Sequence, residues 1–266
     1  MNDRDHDPPT GHDPADVDRS FSRRWQERFI ERGTNRDDDA GIAVWTPASL
    51  ASRMRQFHRH WRRAQPSGAL WLDLGCGAGS YCRLLHEEGR TVVGVDYAAP
   101  SLRKARERSP AAIRWILAEA RGLPFPDHTF DGALCFGLMQ TVEASEPPLT
   151  ELARVVRPGG EIWVDALNAA CLSTRRRERR RRRARLPPLL RYETAASFRA
   201  AVADSGLECL SWHWLPLAPD GWPWLQALLE TEACGSLLRR FPGPAGAISH
   251  SFMVRARVPP AQPSDG

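Results

Sequence analysis

"LWLDLGCGAGSYCRLL", residues 70–85, begins as an apolar strand interrupted by one acid, Asp73, turns through three glycines in five positions, and continues with helical spacing. Glycine tolerates positive φ and lets a ligand come close to the backbone. The helix start that follows offers unpaired N–H groups and the positive end of a dipole. Gly75-Cys76-Gly77-Ala78-Gly79 therefore reads as a ligand loop between a strand and a helix. The next strand, "TVVGVD", ends at Asp96, 21 residues beyond Gly75. An acid about 20 residues past the first glycine of such a loop takes the two hydroxyls of a ribose. The constellation calls for an adenosine-bearing ligand at the carboxyl ends of parallel strands.

The sequence around this loop alternates regularly. "AIRWILAEA", "TFDGALCFG" and "EIWVDAL" read as strands; "APSLRKARERS" and "PPLTELARVV" read as helices, the second with proline in its first turn and stopped by "RPGG". Alternation of this kind builds a parallel sheet covered on both faces, and the near-continuous apolar strands agree. Upstream, 46–63 places Leu50, Met54, Phe57 and Trp61 on one face of a helix. Downstream, "ETAASFRAAVADSG" reads as a helix with Thr194 as N-cap, "LECLSWHWLPL" and "HSFMVRARV" as strands, and 215–247 as a helix-rich insert. Residues 1–20 and 258–266 are polar and Pro/Asp-rich and are expected to be disordered.

Composition narrows the class. Apolar residues make up 42% of the 266, enough for a core, yet no run approaches the roughly 18 apolar residues of a membrane span. The start of the chain lacks the apolar segment of a signal peptide, so the expectation is a cytoplasmic protein. Six scattered cysteines (Cys76, Cys82, Cys135, Cys171, Cys209, Cys234) with no C-x-x-C pair argue against a disulfide framework and a zinc site, and no metal is expected. Nine of the residues from Arg175 to Arg185 are arginine. The plain reading of that run is a solvated, poorly ordered connector; the sharper one is contact with an anionic membrane surface or an anionic substrate. Nucleic acid fits less well, because the run lacks interleaved aromatics and no broader basic face accompanies it.

The loop also discriminates between ligands. A dinucleotide fingerprint would put its third glycine at position 80, which is Ser80, and the Asp73 carboxylate would repel a pyrophosphate. An acid there suits an ammonium group, so S-adenosylmethionine, with an adenosine end, an amino-acid end and a sulfonium between, fits better.

Residues 70–168 strongly resemble the class I S-adenosylmethionine-dependent methyltransferases, and within them the subgroup that includes ubiquinone/menaquinone-biosynthesis and many small-molecule methyltransferases. The resemblance lies in "LDLGCGAG", "VVGVDYA", "AEARGLPFPDHTFDGALCFGLMQTV" and "ELARVVRPGGEIWV", in that order. It implies a Rossmann-like, doubly wound α/β fold: a mostly parallel seven-stranded sheet with the last strand antiparallel, plus helical lid insertions. The single domain would run over 21–257, with an N-terminal helix (46–63), a cofactor-binding core (70–168), a basic insertion (169–191) and a helical lid insertion (215–247).

The resemblance also implies roles. Asp73, Gly75, Cys76, Gly77 and Gly79 would surround the methionine end of the cofactor. Asp96 would hold the ribose, Tyr97 would pack on adenine, and Glu119, with the Ala120 N–H, would meet the adenine edge. Glu119 stands where the subgroup usually has Asp. Phe136 would line the methionine side, while Gln140 and Thr141 stand where histidines are frequent, which argues against a histidine-dependent step there. Methyl transfer needs alignment more than a fixed catalytic group, so no catalytic residue is forced. His213, Asp165 and His58 are weak candidates, and Asn168 is a weak candidate for substrate contact. His60 reads as facing away from the apolar side of its helix. Trp212, Trp214, Trp222 and Trp224 read as core packing or as a substrate wall. The expected function is methyl transfer to a small-molecule or lipid-like acceptor. The alternatives are a non-catalytic binding or scaffold protein of the same fold, or a methyltransferase acting on RNA or protein.

Overall fold

The computed structural model describes residues 14–218 and 221–260. Its centre is a seven-stranded sheet in the order β3-β2-β1-β4-β5-β7-β6. The strands are β1 (Leu70–Leu74), β2 (Thr91–Asp96), β3 (Arg114–Leu117), β4 (Phe130–Cys135), β5 (Val156–Leu167), β6 (Glu208–Pro216) and β7 (Ser249–Arg257). Neighbours from β3 through β5 pair in parallel, and β7 runs antiparallel to both β5 and β6. The expected topology is therefore present, with six strands parallel and the last one reversed. Strand order turns at β1 and β4, so the carboxyl ends of these strands form the crevice where ligands of open α/β sheets bind.

Period-two burial packs the two faces separately. Leu72, Leu74, Val93, Val95 and Val164 pack with Leu149 and Leu152 of α6 (Glu146–Val155) and with Phe198 and Val202 of α8 (Ala195–Asp204). On the opposite face Trp71, Val92, Leu134 and Trp163 pack with Phe57 and Trp61 of α3 (Pro47–Ala64), Leu85 of α4 (Ser80–Glu87) and Leu102 of α5 (Ala99–Glu107). The ends of these helices follow the capping signals. Thr46 accepts from Ser49 N at 3.2 Å ahead of Pro47. Thr194 and Ser197 form a reciprocal capping box at the start of α8.

Helix α6 ends at Val155, just before "RPGG" as read, and that stretch is itself the first part of β5, which starts at Val156 opposite Phe130 and carries a register shift before Gly132. Two local expectations are corrected. The arginine run is not an irregular connector but α7 (Leu172–Arg183), consistent with arginine's high helix propensity. The polar start of the chain is helical from Pro14, as α1 (Pro14–Asn35), followed by the short α2 (Asp39–Ile42). The expectation of disorder for residues 1–13 and 261–266 falls outside the described residues. Between β6 and β7 lie α9 (Pro223–Leu229), α10 (Glu232–Arg240) and α11 (Pro242–Ile248), on the flank of β6. No helix among the described residues is long and apolar enough to cross a membrane.

Candidate active site

At the carboxyl ends of β1, β2 and β4 the glycine loop is drawn onto the sheet, because Gly75 N and Cys76 N both donate to Val95 O, at 2.8 and 3.0 Å. Gly75, Gly77 and Gly79 all have positive φ, at 76°, 53° and 83°. The Asp96 carboxylate closes the loop from β2. Its Oδ2 accepts from Gly77 N at 2.9 Å and its Oδ1 from Ala98 N at 2.8 Å. One N–H on each oxygen leaves further lone pairs for hydroxyl donors. Burial pushes the Asp96 carboxyl upward, while the backbone bonds to Ala98 and Gly77 oppose that shift.

A cleft opens beside this loop. Gly75, Cys76, Gly77, Asp96, Tyr97 and Phe136 all line it, so the structure brings together these six residues expected from the sequence. The remaining expected contacts lie elsewhere. Asp73 is buried behind the loop and accepts from Cys82 Sγ at 3.1 Å. Gly79 faces Trp115 of β3: a Cβ built on it would lie 2.5 Å from the indole. Glu119 is exposed, 3.5 Å from both Gln26 and Arg121, and Ala120 packs against the core; neither reaches the cleft walls.

Burial pushes the Asp73 carboxyl up to about 7, with Asp96 adding to the rise and the Cys82 hydrogen bond opposing it. The folded state then holds a proton that the unfolded chain releases near 3.8. The stabilising contribution is full below that value and is lost as pH rises through about 7. Asp73→Asn, permanently neutral, is expected to gain stability relative to the parent as pH is raised from 4 to 8 in urea titrations. A constant difference between the two across that range would contradict a protonated buried acid.

The cleft's outer wall comes from the N-terminal helices, a contribution the sequence did not announce. Phe29 of α1, Asp39 and Ile42 of α2, and Trp45 line it, with Leu50 and Arg53 of α3. Asp39 fastens α2 to the start of α4 by accepting from Ser80 and Arg83. Tyr97 OH donates to Trp25 O at 3.2 Å, tying β2 to α1. These residues show no motif. Their signal is only a scatter of aromatics in a polar stretch, Phe21, Trp25 and Phe29, four apart.

A second chamber shares Phe29, Ala43, Trp45 and Thr141 with the cleft and continues to Trp25, Gln140, Leu190 and His250. Of the insert 215–247, Leu217 is the residue on the walls of either chamber among the described residues. Arg53, on the wall of the first chamber, forms a buried ion pair with Asp165. Asp165 Oδ1 also accepts from Gly137 N at 2.8 Å, and Arg53 donates to Ser251 Oγ at 2.7 Å while its guanidinium sits 4.3 Å over the Trp45 ring.

The weak catalytic candidates have other partners. Asp165 is held by Arg53 and Gly137. His58 pairs with Glu88 at 2.6 Å on the outer side of α3. His213 lines a separate cavity by α10 and stacks on His60, with ring centroids 3.8 Å apart; burial and His60 hold it down to about 3. His60 thus does not point away from the protein. Asn168 spends its side chain on Gly246 O, Ser249 O and Ala170 N. Trp212 and Trp214 pack around Phe252, whereas Trp222 and Trp224 stack on each other at the surface. The imidazole that does face the second chamber is His250, which burial and Arg53 hold down to about 4, so it is neutral at pH 7.

Comparison with known proteins agrees with this geometry. Residues 72–164 match the methyltransferase domain family. A malonyl-[acyl-carrier protein] O-methyltransferase of Serratia marcescens is 38% identical over 107 residues, which cover 40% of this chain and 41% of that protein. A 2-phytyl-1,4-naphthoquinone methyltransferase of Thermosynechococcus vestitus is 41% identical over 102 residues, covering 36% and 44%. The chain thus spans less than half the length of these curated relatives. Among solved structures, an S-adenosylmethionine-dependent methyltransferase from Mesorhizobium loti superposes with a TM-score of 0.53 at 20% identity, over 72% of this chain and 91% of that one, which establishes the shared fold. The similarity to the methyltransferase domain family thus spans residues 72–164, about a third of the chain.

Proposed function

We propose that the chain is an S-adenosylmethionine-dependent methyltransferase whose acceptor is a small or lipid-like molecule. The observation that carries this reading is the pairing of two chambers. One is walled by the glycine loop and Asp96; the other is aromatic and opens from it past Phe29 and Trp45. The residues present fit the cofactor. Asp96 offers free lone pairs for ribose hydroxyls, Tyr97 offers a ring, and a Cβ on Gly77 would meet nothing within 4 Å, so the loop leaves open space where a ligand would lie. When bound, S-adenosylmethionine supplies a methyl group already activated by its sulfonium.

The work left to the chain is alignment and exclusion of water. Phe136 and Tyr81 line the cofactor cleft together, their rings 4.8 Å apart. Trp45, held by Arg53 on one side and His250 on the other, separates cofactor space from acceptor space. His250, as a neutral imidazole, supplies an acceptor for a hydroxyl proton on the acceptor side. The relatives' names point to quinones and to a malonyl group on a carrier protein. An aromatic second chamber suits an apolar acceptor body, and the reading of a non-catalytic scaffold is disfavoured by an intact loop and acid.

Replacing Asp96 with Ala is expected to weaken S-adenosylmethionine binding by about 1.5–3 kcal/mol, the range for hydrogen bonds to a charged group. Isothermal titration of the folded variant measures it, and an unchanged affinity would remove Asp96 from the site. The function as a whole is tested by incubating the protein with methyl-labelled cofactor and a cell extract. Label in small organic-soluble molecules is the expected result. Label in RNA or protein would redirect the acceptor class, and a well-folded protein that binds no cofactor at millimolar concentration would overturn the reading.

A further inference from the structure

Helix α7 does not merely expose its arginines. With α1 and the segment 186–192 it walls a third cavity, into which Arg24, Arg175, Arg179, Arg181, Arg182 and Arg191 all contribute. The carboxylates on its walls are Glu143 and Glu178; of the six arginines, Arg191 is already paired with Glu193 and Arg181 donates to Pro187 O. None of the ion pairs among the described residues uses Arg175, Arg179 or Arg182. Arg175, Arg179 and Arg182 are spaced four and three apart, which places them along one side of the helix. Three further atoms on the walls lack partners: Thr174 Oγ1, on a side chain only 3% exposed, Arg181 Nε, and one carboxylate oxygen, Glu178 Oε1. Buried polar atoms left unsatisfied are costly and call for a partner.

The cavity continues the acceptor path. Leu190 lines both it and the aromatic chamber, and Arg177 of α7, on the wall of that chamber, donates to Tyr192 OH on the wall of the basic one. Along α1, Phe21 lines the basic cavity, Trp25 the aromatic chamber, and Phe29 both that chamber and the cofactor cleft. One helix face thus runs from the arginines to the glycine loop.

We propose that the acceptor is an anionic amphiphile, with an apolar body in the Trp25/Trp45 chamber and a phosphate ester seated among Thr174 and the α7 arginines. This deepens the function proposed above and rests on it only for the statement that the ligand is the methyl acceptor. A lone carboxylate would neutralise one charge of the excess. A phosphate monoester carries close to two negative charges and three acceptor oxygens, which suit several guanidinium forks and a hydroxyl at once. Arg175, Arg179 and Arg182 are themselves exposed at the rim of the cavity, and it is the buried, unpartnered Thr174 hydroxyl on the same wall that favours a discrete ligand over a flat anionic bilayer.

The test titrates the full chain with n-decyl phosphate, n-decanol and inorganic phosphate in parallel, and sediments it with vesicles containing anionic lipid. Decyl phosphate is expected to bind saturably and at least tenfold more tightly than either half alone. A triple variant, Arg175→Ser with Arg179→Ser and Arg182→Ser, should remove that advantage while S-adenosylmethionine affinity stays within twofold. Thr174→Val should lower decyl phosphate affinity severalfold. Equal decyl phosphate affinity in parent and triple variant would overturn the proposal, as would sedimentation with vesicles without saturable binding of decyl phosphate, which would make α7 a membrane-docking helix. Cofactor titration separates the two readings. Intact cofactor binding without decyl phosphate binding sinks the anion site alone, and the reverse pattern sinks the methyltransferase reading and leaves the anion site standing.

Discussion

Asp165→Ala is expected to cost about 3–5 kcal/mol of folding stability, the usual loss when one partner of a buried ion pair is removed. Asp165 is 1% exposed and Arg53 8%, so the carboxylate has no water to turn to and the guanidinium meets only the cleft. The carboxylate also satisfies Gly137 N, which would be orphaned at the same time. Asp165→Asn keeps that acceptor and the side-chain shape, so it should lose less. Adding Arg53→Met to Asp165→Asn removes the stranded cation and should recover much of the remainder. Urea titrations of the four proteins measure the series. A loss below about 1 kcal/mol in Asp165→Ala would show that the pair is not the buried brace described. The order matters for function, because a general base would give a folded, inactive Asp165→Asn, whereas a brace gives a protein whose activity follows its stability.

That distinction shows why parts of the site were legible in the sequence and parts were not. The loop 75–79, Asp96 and Phe136 sit at strand ends, and strand ends are fixed by period and by turn residues within a few positions. Local pattern therefore placed them. Asp165 also sits near a strand end and looked equally available. What consumes it is Arg53, 112 residues earlier, on a helix whose apolar face was read as Leu50, Met54, Phe57 and Trp61. The face that is buried mixes Phe57 and Trp61 with Ser49, Ser52, Arg53 and Gln56, because α3 lies against a polar network as well as a core. No periodicity of hydrophobic residues reports that. The same holds for His213, which faces α3 across the sheet flank and meets His60 instead of a ligand. Helix α1 was missed because most of its surface is charged and its anchorage is a few aromatics, Trp25 and Phe29 with Tyr97. Such anchorage is a tertiary fact: the helix has a reason to exist only once the cleft it covers has formed.

The glycines of the loop look alike in sequence and should behave differently. Gly79→Ala is expected to destabilise the fold by roughly 2–5 kcal/mol, the sum of a left-handed alanine and an overpacked contact. Its φ is +83°, and the added Cβ would lie 2.5 Å from one carbon of the Trp115 ring, 3.1 Å from another and 3.4 Å from Ala105. The indole is a rigid ring, partly buried against the core, and it also crowds Gly94, so it has little room to yield. Gly77→Ala carries only the conformational part, about 1–2 kcal/mol, since nothing lies within 4 Å of its Cβ position. That open space is the cleft, so the methyl group occupies ligand volume. Gly77→Ala should keep a cooperative unfolding transition and lose tenfold or more in S-adenosylmethionine affinity, about 1.4 kcal/mol. Gly77→Leu should abolish binding in a protein that still folds. Urea titration and isothermal calorimetry on the same samples give both quantities. If Gly77→Ala binds the cofactor like the parent, the glycine loop is a tight turn and nothing more; if Gly79→Ala folds as well as the parent, the helix start is not pinned against β3. On the expected outcomes Gly77 keeps space for the ligand and Gly79 for a tryptophan, and only Gly77 belongs to the proposed chemistry.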